Sequence, residues 1–436
     1  MLGIHSNSMT NNQNTHMKNY LSLALIACLI ITSCTKDKGS VTVTFTKSTA
    51  EYGNLEEIRN TELIGLSRSI ENPGKIYIGE EYLLIGEEGI GIHIYDNSAP
   101  ANPVNVAFMN VPFCKEFFVK DDFIYAESQY DLLKINITDF TNPFLAARAS
   151  NSFATPLSND QGEQLVGFSY EEVTEKIKIN SKEYEQVSES AVLYYDYTES
   201  LIPPSAVPSS FSGASSGQMG TVNRITEHMG YIYAVSSSKI HIFNNDGVLN
   251  KSNEVETFNS LQTIYPKGDY LFLGTQTSMD IYDVRSPETP IETASHWHTT
   301  ACDPVLPHGD DVAYVTVRTG DFSNCPGDVN ALLVLDLEDI SSPQERQTVD
   351  MVSPYGMAIE GDILYVGNGD AGLYMYDISD RFNVTLLGTN TSVKAYDVIP
   401  HPTITNLVLT SGPNGIEQYE FNEVTLDLNL ISHIQI

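Results

Sequence analysis

Apolar and polar residues alternate along most of this chain in runs of four to seven, and many runs close on an acid or an amide. "IHIYD" (92–96), "LKIN" (133–136), "VLYYD" (192–196), "IHIFN" (240–244), "DIYD" (280–283), "LVLD" (333–336), "YMYD" (374–377) and "EQYE" (417–420) are of this kind. Each follows another apolar run, often entered through an acidic or glycine turn, as in "DDFIYAE", "GDYLFLG" and "GDILYVG". A period of two is the mark of a strand, and no segment sustains the 3.6-residue period of a helix. Several units carry proline just after the acid ("DNSAPANP", "RSPETP", "EDISSP"), where a turn or an edge needs no ladder donor.

The runs recur roughly 40 to 60 residues apart, so the pattern is a repeat of four-stranded antiparallel units. One such sheet cannot bury both faces by itself. Stacking the sheets radially does bury them and leaves only short edges, which predicts an all-β β-propeller. Eight units of about 47 residues over 61–436 predict eight blades. "TEKIKINSKEYEQVSES" (174–190) interrupts the third unit, and if that unit is an insertion the count falls to seven. "TELIGLSRSI" (61–70) and "LDLNLISHIQI" (426–436) read as outer strands, either of which could close the ring against the opposite terminus.

The first residues read differently. "MKNYLSLALIACLIITSC" (17–34) has one lysine, an apolar run too short for a confident membrane span, and the ending Ile31-Thr32-Ser33-Cys34, which resembles a bacterial lipobox. This predicts a signal peptide over 1–33, with translation starting at Met17 rather than Met1, acylation of Cys34, and a polar tether over 34–60. The expected location is the cell envelope, as an outer-membrane lipoprotein facing the periplasm or the surface, in contact with the membrane through the lipid only. With 56 acidic against 23 basic residues the net charge is −33, which repels phosphate backbones and excludes nucleic acid as a partner.

The residues also resemble a family, the bacterial LVIVD-repeat proteins, many of them lipoproteins of the Bacteroidetes group. "PYGMAIEGDILYVGNGDAGLYMYDISD" (354–380) carries the repeat's shape; "ACDPV" with "AYVTVRTG" (301–320) and "AYDVIP" (395–400) are similar to its other hallmarks. The resemblance spans the chain downstream of Cys34 and is loose in the third and fourth units. It implies a secreted or surface-anchored propeller and no established activity.

Candidate chemistry gathers in "ACDPVLPHGDDVAYVTVRTGDFSNCPGD" (301–328). Cys302 would open the first strand of one blade and Cys325 would sit in the turn after its second, which places both at one rim. A disulfide closing this 24-residue loop would stabilise by roughly 3 kcal/mol. The competing readings are a zinc site drawn from His296, His298, Cys302 and His308, with His296 and His298 on one face of a strand as the weak candidates, and a nucleophilic thiol. "GASSG" (213–217) matches a serine-hydrolase elbow around Ser215 but lies in a Pro-, Ser- and Gly-rich linker. The turns at 86–91, 244–249 and 368–373 could bind calcium weakly, without the spacing of a calcium loop. No cofactor is otherwise expected. Asp303, Arg318, Tyr355 and Tyr396 are the candidate binding rim. The expected function is a binding or scaffold module for an envelope protein or glycan; the alternative is a polysaccharide hydrolase or lyase with its site in the central cleft, resting on fold analogy.

Overall fold

A computed structural model describes residues 40–179, 181–182, 192–195, 224–236, 238–275, 277–297, 304–319 and 329–436. The described residues divide into two compact units, one of 40–51 with those between 168 and 195, the other of 52–167 with those from 224 to 436.

The larger unit is a propeller of seven blades, not eight. Blade one spans 73–110, two 117–149, three 225–256, four 261–297, five 305–350, six 357–390 and seven 397–434. Each is a meander of four antiparallel strands in chain order, and the first strands touch between neighbours from blade two through blade five and between blades six and seven. The expected third unit is an insertion between blades two and three. "GEQLVGF" runs on as a 15-residue strand, Gln164–Lys178, about twice the length of any blade strand. Val192–Tyr195 pairs parallel to Ser40–Gly53 (Thr46 opposite Val192). In the smaller unit Phe45 and Ile177 are buried together. Ser40–Gly53 lies inside the expected tether; the alternation Val41, Val43, Phe45 is long enough to form a strand once a partner strand is present.

The terminal strands do not exchange. Ile64–Gly65 adds a fifth, outermost strand to blade one, and Asp427–Ile434 is the outer strand of blade seven itself. The ring closes through side chains instead. Ile76, Ile78 and Leu83 of blade one pack on Ile399, Leu409 and Ile416 of blade seven. Beside them the buried amides of Asn97 and Gln418 bond reciprocally at 2.9 and 3.2 Å, and Gln418 also donates to the Pro100 carbonyl at 3.0 Å. Each of the other six blade interfaces likewise has its own apolar cluster, as expected where a sheet faces a neighbour on both sides.

The recurrent acid has a structural role. In all seven blades the Asp or Asn that ends the third strand accepts a hydrogen bond from the backbone N–H two residues on, at 2.7–3.1 Å: Asp96, Asn136, Asn244, Asp283, Asp336, Asp377 and Asn422. This is the Asx turn, which caps the tight connection to the outer strand. In blade seven the capping residue is Asn422, two residues beyond the expected Glu420. A second repeated device lies one strand earlier. The hydroxyls of Tyr233 and Tyr314 donate to the carbonyls of Pro287 and Arg381 in the following blade's turn, and the Tyr125 hydroxyl accepts from Asn245 in the same way. The equivalent Tyr365 hydroxyl is buried without a partner.

Among the described residues the helix Leu55–Arg59 is capped by Asn54, whose side chain accepts from the Glu56 N–H. Arg59 docks it onto blade two by a two-pronged bond to Asp131 (2.8 and 2.9 Å), which Arg148 joins at 2.9 Å. Burial raises the Asp131 carboxyl, but bonds from Arg59, the Asn151 N–H and Arg148 outweigh it and hold the group below the usual carboxylate range.

Candidate functional site

The two rims of the propeller differ. The lower rim carries the turns between first and second and between third and fourth strands, including the seven Asx turns. The upper rim carries the connections between blades and the turns after each second strand. Its sequences are irregular, and three of the four expected rim residues, Arg318, Tyr355 and Tyr396, come together there.

Arg318 follows the second strand of blade five, Val312–Val317; Tyr355 lies in the connection to blade six and Tyr396 in the connection to blade seven. The Arg318 guanidinium carbon sits 4.1 Å from the centroid of the Tyr355 ring. The rings of Tyr355 and Tyr396 lie 4.8 Å apart with their planes at 48°. Three blades therefore supply one continuous cation–π and aromatic stack, half-buried along its length. Burial, then the nearby Tyr355 and Asp370, keeps the Tyr396 phenol above its ordinary value, so it stays a neutral donor. Lys394 and Asp370 form a surface ion pair alongside at 2.9 Å, a contact that contributes orientation more than stability.

Glycines make this convergence possible. Gly356 donates its N–H to the Tyr396 carbonyl at 3.0 Å, Tyr355 donates to the Gly367 carbonyl at 2.8 Å, and Gly369 donates to the Ala395 carbonyl at 2.9 Å. A Cβ on Gly356 would meet Asp397 Oδ1 at 2.0 Å, and one on Gly367 the Ala395 carbonyl oxygen at 2.9 Å. Gly369 has φ +56°, and a Cβ there would lie 2.9 Å from the Tyr355 ring. The glycine spacing of "YVGNGDAGL" is thus a seam that lets blade six dock backbone to backbone on blade seven. Thr316 ties the same connection to blade five by donating to the Tyr355 carbonyl at 2.8 Å.

Other sequence candidates separate. Asp303, Cys302, Cys325, His298, Cys34 and Ser215 lie outside the described residues. His296 stands in the outer strand of blade four, Ile291–Trp297, whereas His308 ends the first strand of blade five on the lower rim, so these two do not meet. Among the described residues no group of three His, Cys, Asp or Glu is placed to hold a metal ion. Oxygens in the three acidic turns already have partners: Glu87 accepts from the Glu71 and Asn72 N–H groups and pairs with His93, Asn368 accepts from the Ser353 N–H, and Asn244 from the Asp246 N–H. Cys114 is buried and free, with its thiol pushed well up by burial and then by Glu127 and Glu116, which leaves it inert as a nucleophile.

Sequence reasoning missed a buried polar group around the axis. Lys75 and Glu116, both nearly fully buried, form an ion pair between blades one and two. Asp397 on blade seven is 1% exposed, and its Oδ2 has no hydrogen-bond partner. The available signal was a lone lysine inside the apolar strand "PGKIYI".

A family model described as "LVIVD repeat" matches residues 355–391, which is blade six together with Tyr355 and the glycine seam. No curated protein matches the chain. Among solved structures, the chain is similar to BamB from Moraxella catarrhalis, at 8% identity over 79% of this chain and 83% of that one, with a TM-score of 0.44. It is similar to a protein from Lactobacillus plantarum at 10% identity over 83% and 96%, with a TM-score of 0.49.

Proposed function

We propose that the chain is a lipid-anchored binding module of the cell envelope whose propeller presents its upper rim to a protein partner. The observation that carries this reading is the stack Arg318–Tyr355–Tyr396, assembled from three blades on the rim that the repeat leaves irregular. Tyrosine and arginine are among the residues that most often dominate protein interfaces, because a half-buried tyrosine ring excludes water over a large area with few rotors to freeze, and a guanidinium stacked on such a ring presents a pre-oriented planar fork of donors. The same rim leaves the aromatic rings of Phe258 and Trp297 exposed. A disulfide between Cys302 and Cys325 would brace the loop beside Arg318. The anchor rests on the apolar run ending at Cys34.

The test compares retention of envelope proteins by the purified chain and by Arg318→Ala, Tyr355→Ala and Tyr396→Ala. Ser379→Ala on the lower rim serves as the control. Loss of one reproducible partner in the rim variants alone is the expected result; equal retention by all four variants refutes the rim. Incubation with envelope polysaccharide decides the alternative, since release of product would establish the enzyme reading. Palmitate labelling should vanish in Cys34→Ala, and unchanged labelling would reject the anchor.

A further inference from the structure

A cavity of about 210 Å³ opens among the first strands of blades one to four. Strand register explains its walls. The third residues of the four second strands are Leu84, Tyr125, Tyr233 and Phe272, and opposite them on the first strands stand Tyr77, Phe118, Thr226 and Tyr265. All four of these first-strand residues line the cavity. The cavity therefore lies at one level of the propeller, where the same repeat position supplies a ring from blades one, two and four and a threonine from blade three. The level is short of one ring, and the open space adjoins Thr226.

The walls are held in place from behind. The Tyr77 ring is backed by Tyr82, with centroids 5.7 Å apart and planes at 24°, and Tyr82 in turn by Phe140 at 5.3 Å and 20°. Phe118 and Tyr265 pack against the apolar clusters between blades two and three and between blades four and five. Rings fixed before a ligand arrives lose little freedom when it binds. The charges bordering the cavity cancel. Lys75 at its upper end is paired with Glu116, and Lys120 and Glu227 at its lower end offset each other in formal charge. Neither an anion nor a cation meets a net opposite charge here. Besides the tyrosine phenols, the neutral polar side chain of the wall is Thr226, 2% exposed.

We propose that this cavity is a binding site for a small uncharged aromatic molecule of the phenol class, its ring against Tyr77, Phe118 and Tyr265 in the place of the ring that blade three lacks, and its hydroxyl on Thr226. The size is appropriate. An apolar cavity of ~150 Å³ holds one benzene ring, so this one admits a ring with its substituent. Ring-to-ring contacts in offset or edge-to-face geometry add to the area buried. Water gains little in the same space, because aromatic walls offer it few of the about two to four partners that hold a buried water. The site lies apart from the rim stack and stands or falls independently of it.

The test is a fluorine NMR titration of the purified full chain with 4-fluorophenol, in parallel with fluorobenzene, the anion 4-fluorophenylacetate and the cation 4-fluorophenethylamine. The expected result is saturable binding of 4-fluorophenol, weaker binding of fluorobenzene and none of either ion. Thr226→Leu fills the open space and should weaken 4-fluorophenol about tenfold or more. Thr226→Val keeps the shape and removes the hydroxyl, so it should weaken 4-fluorophenol about threefold to tenfold and leave fluorobenzene unchanged. No saturable binding of 4-fluorophenol, or binding of fluorobenzene or of either ion as tight as that of the phenol, overturns the proposal. Unchanged affinity in a folded Thr226→Leu protein does so as well. Should Thr226→Leu not fold, Thr226→Val decides, and a phenol affinity that stays the same, or falls together with that of fluorobenzene, refutes the site.

Discussion

Replacing Gly356 by alanine sets a methyl group 2.0 Å from Asp397 Oδ1 and 2.7 Å from its Cγ, with the Asp397 Cα at 3.3 Å. The carboxylate must swing by more than 1 Å or the seam must open. Swinging breaks the 2.9 Å bond that Asp397 Oδ1 accepts from the Val398 N–H; opening breaks the 3.0 Å bond from the Gly356 N–H to the Tyr396 carbonyl. Overpacking of a rigid core costs about 1–3 kcal/mol and a lost buried hydrogen bond about 1 kcal/mol more, so Gly356→Ala should destabilise by about 2–4 kcal/mol. An unfolding entropy of ~2.1 cal/mol/K per residue over ~360 residues is about 0.8 kcal/mol/K, which converts this to a fall in Tm of about 3–5 °C by calorimetry. Asp397→Ala by itself should move stability by about 1 kcal/mol or less, because it removes one hydrogen bond and one unpartnered oxygen together. The double variant should then recover most of the loss. A Gly356→Ala protein that melts within about 1 °C of the parent, or a double variant no more stable than Gly356→Ala, refutes the steric account of the seam.

Tyr314→Phe should cost about 1 kcal/mol by denaturant titration, since it deletes the bond to the Arg381 carbonyl, whereas Tyr365→Phe should be neutral or stabilising because its hydroxyl has no partner; equal effects would show that these hydroxyls do not tie the blades. Gln418→Leu strands the Asn97 amide at the ring closure and should lower stability by about 1–3 kcal/mol; an unchanged midpoint would mean that the apolar cluster closes the ring unaided. His241, 1% exposed, is lowered to about 4 by burial, then by Lys251, against the pull of Glu254. The unfolded chain takes up that proton first, so stability is lost as pH falls from about 6.5 to about 4, by up to about 3 kcal/mol. His241→Gln should flatten that limb, and an equally steep limb in the variant would place the titration elsewhere.

The strands were legible because period-two alternation is a local property, and so was the acid or amide that ends the third strand in blades one to six, although only the structure shows that it caps a turn. "VLYYD" misled for the same reason: an apolar run ending in Asp records that a strand forms and says nothing of its partner. Its pairing with Ser40–Gly53 is decided nearly 150 residues away. The rim residues Arg318, Tyr355 and Tyr396 could be named because each sits at a strand boundary. That they stack could not, since the contact needs three blades and the close approach allowed by Gly356, Gly367 and Gly369.

What the sequence by itself determined is therefore the repeating unit: strand period, turn chemistry and the all-β class, each set by interactions within a few residues. The tertiary structure alone decided the count of seven, the closure through Asn97 and Gln418 and the gathering of Lys75, Glu116 and Asp397 near the axis. Those features depend on how many wedge-shaped sheets fill a circle and on which side chains then face one another, and packing of that kind leaves no periodic trace along the chain.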